Sequence, residues 1–213
     1  MRRPCSLIIF DCDGVLVDSE PIGNRILVEA IGELGLTLSL EEAMNLFKGT
    51  KMADCVKILS ERLGLPLPED FVAMLRARTA EAFRKELQPV AGVHAMLNRL
   101  TIPRCVASSG PREKINLSLS VTALLPYFEG RIFSSYDIGS WKPSPDLFLH
   151  AAASLGVHPS SCAVVEDSAL GVRAGTAAGM RVFAYSTASA RTEMELLGAT
   201  PFFHMDELPS LLQ

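Results

Sequence analysis

Leu7-Ile8-Ile9-Phe10 is an unbroken apolar run closed on its C-terminal side by Asp11-Cys12-Asp13-Gly14. Four apolar residues without polar alternation predict a strand buried on both faces. The period then changes. Ile22, Ile26, Leu27 and Ala30 recur along one face of a helix predicted from Pro21 to Gly35, with Pro in its first turn and Gly at its end. Ser39-Leu40-Glu41-Glu42 is a capping box for a second helix reaching Leu46-Phe47. A third helix, Met52 to Leu63, is stopped by Gly64 and Pro66, and a fourth opens at Pro68-Glu69-Asp70 and runs to about Leu87. Residues 18–87 thus read as four helices in succession with no strand between them.

From Val90 onward, strands and helices alternate. A short helix from Val93 to Leu100 precedes the strand Arg104 to Ser108, and a helix from Pro111 to Thr122 precedes the short strand Arg131-Ile132-Phe133. A helix from Pro145 to Leu155, the strand Cys162 to Val165, a helix from Ala169 to Ala178 and the strand Arg181 to Tyr185 follow. This alternation predicts βαβ units: an α/β fold with a Rossmann-like parallel sheet as its core. The core comprises residues 1–17 and 88–213, and the four-helix cap, residues 18–87, is inserted after the first strand. The crossings fall at Val17–Asp18 and at Leu87–Gln88-Pro89. An insert springing from beside the acidic pair is placed to act as a lid.

Composition narrows the classes. In 213 residues, 48% are hydrophobic and 21% charged, as in an ordinary globular protein with one sizeable core. A net charge of −4 argues against a nucleic-acid binder, and no apolar run approaches membrane-spanning length. The opening Met1-Arg2-Arg3-Pro4-Cys5 leads into too short an apolar run for a signal peptide, so a cytoplasmic, monomeric protein is expected. Cys5, Cys12, Cys55, Cys105 and Cys162 lack Cys-x-x-Cys spacing and read as reduced thiols, most of them in or beside apolar runs. His94, His150, His158 and His204 are scattered without ligand spacing.

The candidate chemistry lies at strand ends. Asp11 and Asp13 close one strand, Ser108-Ser109-Gly110 a second and Glu166-Asp167 a third, while a loop carries Trp141-Lys142-Pro143. Each piece alone is a common turn or helix start. In a parallel sheet, however, ligands bind beyond the carboxyl ends of the strands, so the pieces converge. Neighbouring carboxylates repel and call for a divalent cation or a phosphorylated ligand. A carboxylate nucleophile, a second carboxyl for proton transfer, a magnesium ion, and Lys and Ser around the equatorial oxygens are the parts of a phosphoryl-transfer site.

Four segments, in this order, carry a resemblance. They are Phe10-Asp11-Cys12-Asp13-Gly14-Val15-Leu16-Val17-Asp18-Ser19-Glu20, Val106-Ala107-Ser108-Ser109-Gly110, Lys142-Pro143-Ser144-Pro145-Asp146, and Val164 through Gly175. With them the chain resembles the haloacid dehalogenase-like (HAD) phosphohydrolases over essentially its full length, and its helical insert is similar to the cap of the β-phosphoglucomutase-like branch. The resemblance implies a Mg2+-dependent phosphatase. Asp11 would be the nucleophile and Asp13 the acid/base, its main-chain carbonyl also facing the metal. Ser108, the Ser109 amide and Lys142 would bind the phosphoryl group, Asp167 would ligate magnesium, and Glu166 would do so through water. The second Asp favours phosphate chemistry over dehalogenation.

Related sugar-phosphate mutases carry a His in the helix after the first motif. Here no His lies between Asp13 and His94, and Gly23 occupies that helix, so hydrolysis is favoured over the mutase alternative. A phosphoacceptor signalling domain would lack the insert, and a non-catalytic phosphometabolite-binding protein would not need the complete set of polar residues. Phe47-Lys48-Gly49-Thr50-Lys51 and Tyr136 through Pro143 are similar to segments of bacterial 6-phosphogluconate phosphatases. The expected substrate is therefore a small phosphorylated metabolite, a sugar phosphate with 6-phosphogluconate as the leading candidate. Its carboxylate requires a second cation, for which Lys48, Lys51, Arg76 and Arg78 are the candidates. Arg78 stands out because it falls on the apolar stripe of Phe71, Met74, Leu75 and Ala82.

Overall fold

Leu7–Phe10 forms strand β1, and its side chains alternate between two cores: Ile8 and Phe10 face one, Leu7 and Ile9 the other. All four are buried, each contributing on the order of 2 kcal/mol of apolar transfer energy. The computed structural model describes residues 4–47, 49–128 and 130–212. After β1 come helices α1 (Glu20–Gly32), α2 (Leu40–Phe47), α3 (Met52–Leu63), α4 (Phe71–Glu86) and α5 (Val93–Arg99). Then follow β2 (Arg104–Ser108), α6 (Arg112–Val121), β3 (Ile132–Ser134), the short α7 (Ser135–Ile138) and α8 (Asp146–Ser154). β4 (Cys162–Glu166), α9 (Ala169–Ala177), β5 (Arg181–Tyr185), α10 (Arg191–Leu196), β6 (Thr200–Phe202) and α11 (Leu208–Leu211) complete the chain.

Among the described residues the sheet is parallel throughout, in the order β3-β2-β1-β4-β5-β6. Strand β1 sits between β2 and β4, with Ile9 opposite both Cys105 and Val164. Chain direction across the sheet therefore reverses at β1. That reversal opens a crevice at the carboxyl ends of β1 and β4, where open α/β sheets place ligands. Helices α5, α6 and α11 cover one face, and α8, α9 and α10 the other. The edge strand β6 and helices α7, α10 and α11 have no counterpart in the sequence reading. Among the described residues no helix is long and apolar enough to cross a membrane.

Helices α1 to α4 share a third apolar cluster, drawn from residues 26–82 and including Ile31, Leu59, Phe71 and Leu75. The predicted capping box is present, with Ser39 N and Oγ donating to Glu42 Oε2 at 2.8 and 2.7 Å. The two chain segments joining these helices to the sheet pair with each other. Val17 and Pro89 form an antiparallel bridge, Asp18 N donates to Gln88 O at 3.0 Å, and Val90 N donates to Leu16 O at 3.0 Å.

Candidate active site

Asp11 continues β1 by one residue, its N–H donating to Val165 O at 2.9 Å. The chain then turns tightly, with Cys12 O accepting from Leu16 N at 2.9 Å and Val17 N at 3.1 Å. Gly14 makes the turn possible in two ways. Its φ of +74° is left-handed, and a Cβ there would lie 2.5 Å from Asp167 Oδ2. The turn after β1 thus fits directly under the carboxylate that follows β4.

Lys142 is buried between two carboxylates, its Nζ 2.9 Å from Asp11 Oδ1 and 2.5 Å from Glu166 Oε1. Burial alone would lower the Lys142 pKa, but Asp11 and Glu166 outweigh it and hold the ammonium above its ordinary value. Burial pushes the Asp11 carboxyl well above the usual carboxylate range, Lys142 pulls it down, and Glu166, Asp13 and Asp167 push it up again. Glu166 has both oxygens engaged: Oε2 accepts from Asp167 N at 3.0 Å, Ser168 N at 3.1 Å and Ser168 Oγ at 3.0 Å. Its geometry therefore fixes Lys142 and shapes the turn after β4. Ser108 is buried at the end of β2, its Oγ accepting from Gly110 N at 3.1 Å, and Ser109 lines the same cavity.

Asp13 is gripped from two sides. Ser19 Oγ, from the residue capping α1, donates to Oδ1 at 2.5 Å, and Lys114 Nζ, from the first turn of α6, donates to Oδ2 at 2.8 Å. Burial acts to raise the Asp13 pKa, but Lys114 and Ser19 prevail and lower it. Cys12, between the two aspartates, is buried, and burial and the neighbouring carboxylates push its thiol well up, so it supplies no thiolate.

One oxygen from each of Asp11, Glu166 and Asp167 lies within 4.8 Å of the others. Asp11 Oδ1 is buried and, apart from its ion pair with Lys142, has no hydrogen bond aligned on it. An all-oxygen donor set of three converging carboxylates fits a hard divalent cation such as magnesium, and not a thiophilic metal.

Asp11, Asp13, Ser108, Lys142 and Asp167, with Glu166 buried behind them, form the floor of a cavity of about 660 Å³, walled on the other side by α1, α4 and the loop before α3. Of the candidates for a second cation, Lys51 and Arg76 line the cavity. Lys48 lies outside the described residues. Arg78 is a correction. It is exposed and forms a forked ion pair with Glu33 at 2.6 and 2.9 Å, away from the cavity. The stripe on which it lies packs α4 against the neighbouring helices, and Arg78 reaches the edge of that contact. Successive residues turn by about 100°, so Arg76, two positions earlier, projects from another face of α4. The sequence reading missed Ser19, Lys114 and Tyr136 as cavity residues. For Lys114 a signal existed, since a cation in the first turn of a helix opposes the helix dipole.

The family model described as haloacid dehalogenase-like hydrolase matches residues 8–185. The chain is 38% identical over 205 residues to the 6-phosphogluconate phosphatase of Escherichia coli (strain K12), covering 96% of this chain and 93% of that protein. Among solved structures, a conserved haloacid dehalogenase-like protein of unknown function from Agrobacterium tumefaciens str. C58 superposes with a TM-score of 0.84 at 34% identity, covering 98% and 97% of the two chains. A putative beta-phosphoglucomutase from Thermotoga maritima gives a TM-score of 0.77 at 25% identity, covering 97% and 98%.

Proposed function

The chain belongs to the haloacid dehalogenase-like hydrolase family, and from that premise we propose that it is a phosphatase cleaving small sugar phosphates, 6-phosphogluconate foremost, through a phosphoaspartate on Asp11. The observation that carries this reading is the meeting of Asp11, Ser108, Lys142 and Asp167, from separate segments, at the floor of one cavity.

A carboxylate oxygen of Asp11 attacks phosphorus as the bond to the ester oxygen breaks, and the Asp13 carboxyl gives its proton to the departing alkoxide. Water then attacks the phosphoaspartate, losing a proton to Asp13. The bond from phosphorus to Asp11 breaks, and inorganic phosphate leaves. The grip of Ser19 and Lys114 orients Asp13 and favours the carboxylate that takes the water's proton in this second step; that proton is the one Asp13 gives to the alkoxide in the next turnover. Lys142, the Ser108 hydroxyl and the Ser109 amide offer positive charge and donors to the phosphoryl oxygens.

Asp11, Asp167 and the main-chain carbonyl of Asp13 would hold a magnesium ion, with Glu166 behind them. When bound, the ion supplies positive charge to the attacking carboxylate and to a phosphoryl oxygen. Residues 18–87 are the cap in this reading and 1–17 with 88–213 the core; the cap shields the phosphoaspartate from untimely water and reads the rest of the substrate. No His is found among the described cavity residues, which favours water over a second substrate hydroxyl as acceptor.

The test is phosphate release from a panel of phosphorylated sugars, sugar acids and nucleotides, with magnesium and with chelator. Magnesium-dependent release that vanishes in Asp11→Asn is the expected result. Turnover persisting in that variant would remove Asp11 as nucleophile.

A further inference from the structure

The cavity has two electrostatically different ends. At the floor, the charges of Lys114 and Lys142 are already matched by carboxylates at 2.8, 2.9 and 2.5 Å. Along the α4 wall lies Arg76, which is not matched. Among the described residues no carboxylate is within ion-pair distance of it, whereas Arg78 on the same helix is paired with Glu33; Arg84, which also lines the wall without an ion pair, stands next to Phe83 at the Lys114 end of the helix. The partner of Arg76 is a neutral phenol. Its Nη2 donates to the Tyr136 hydroxyl at 2.9 Å, and its guanidinium carbon lies 5.4 Å from the centre of that ring. A phenol orients a guanidinium without cancelling its charge, and the rest of the planar fork keeps its N–H donors.

Tyr136 is itself braced. Its N–H donates to Ser134 Oγ at 3.1 Å, its ring stands edge-on to Trp141 at 5.3 Å, and the next residue, Asp137, pairs with Arg112 Nη2 at 2.5 Å. The platform under Arg76 is therefore fixed before any ligand arrives, which lowers the entropic cost of using it.

Phe83, two turns further along α4, has its ring 5.8 Å from the Lys114 ammonium that grips Asp13. From Phe83 to Arg76 is about 10 Å of helix, so Arg76 stands along the cavity wall away from the acidic turn. A planar, singly charged group at that end suits one guanidinium fork.

We propose that Arg76, oriented by Tyr136, is a specificity-determining residue that receives a carboxylate at the far end of the substrate, so that phosphorylated sugar acids are preferred over neutral sugar phosphates. The proposal rests on the phosphatase reading. Its test compares kcat/KM for 6-phosphogluconate with that for glucitol 6-phosphate, which has the same carbon chain with a hydroxymethyl group in place of the carboxylate. The wild type should favour the acid. In Arg76→Met the ratio of the two should fall about 10-fold or more, mostly through KM for the acid, as expected for losing a charge-assisted hydrogen bond. Arg76→Lys should recover part of the ratio, and Tyr136→Phe should lower it by less than Arg76→Met does. An unchanged ratio in Arg76→Met, or a wild type without preference for the acid, overturns the subsite while leaving the phosphatase intact. Release from neither compound nor from the wider panel overturns the phosphatase reading and the subsite with it.

Discussion

Lys114 Nζ stands 2.8 Å from Asp13 Oδ2, so a side chain 101 residues further along the chain holds the second carboxylate of the turn after β1. Its ammonium also lies over the ring of Phe83 from α4, which ties α6, the acidic turn and the four-helix block together at one point. Asp13 is thereby fixed in direction as well as in charge.

Replacing Lys114 with Met should lower kcat by about 10- to 100-fold, because proton transfer by a positioned carboxyl is worth factors of this size. Lys114→Arg keeps the charge and should restore part of the loss. Steady-state kinetics on any accepted sugar phosphate decide it. A Met variant with wild-type kcat would show that Ser19 suffices to orient Asp13.

Asp11→Asn should stabilise the protein while abolishing turnover. The folded-state pKa of Asp11 is raised above its ordinary value of 3.8, chiefly by burial, so this carboxyl costs the metal-free fold stability at pH values above the ordinary carboxylate range. Below both values the penalty is absent. Lys142 keeps Glu166 as a partner at 2.5 Å, so no buried ammonium is stranded. In chelator at pH 7 the melting temperature should rise by about 2–4 °C, with a gain of about 1 kcal/mol. The gain should shrink as the pH falls toward 4. A variant that melts below the wild type at pH 7 contradicts this.

Gly171→Ala should be costly although the site is far from obvious in sequence. A Cβ at Gly171 would overlap the carboxylate of Glu166, which is buried and bonded at both oxygens. Overpacking of this kind costs about 3 kcal/mol, or roughly 10 °C in melting temperature. Calorimetry in chelator isolates the packing effect, and a drop of less than about 2 °C would mean that Glu166 moves aside easily.

Arg78→Ala should leave kcat and KM as they are, because its fork is bound to Glu33 and it does not line the cavity. The contrast with Arg76 on the same helix makes this a sharp comparison. A rise in KM for the Arg78 variant would mean that the Glu33 pair orders the cavity wall from behind.

Much of the site was legible because its residues stand where apolar runs stop. Asp11 after β1, Ser108 at the end of β2 and Glu166-Asp167 at the end of β4 stand where the apolar run of a buried strand gives out, and a parallel sheet brings such ends together. Other residues escaped because their roles depend on which helix face turns inward. Lys114 is set by the packing of α6 against α4, and Tyr136 by a four-residue helix too short for any period to mark. Arg78 misled for the same reason: its apolar stripe is real and packs mainly on other helices, but Arg78 itself sits at the edge of that contact, where Glu33 binds it. Strand β6 escaped because three residues around Pro201 show no alternation, and only an edge position tolerates the missing N–H.

The bridge between Val17 and Pro89 means that the helical block joins the sheet through a single two-stranded ribbon. The chain leaves and returns at one place, but a graft of residues 18–87 would have to match more than that junction, because it would also have to supply Ser19 to Asp13 and Phe83 to Lys114. Ser19 reaches across that junction to Asp13, and Tyr136 reaches back to Arg76, so a change on either side of the junction is felt on the other.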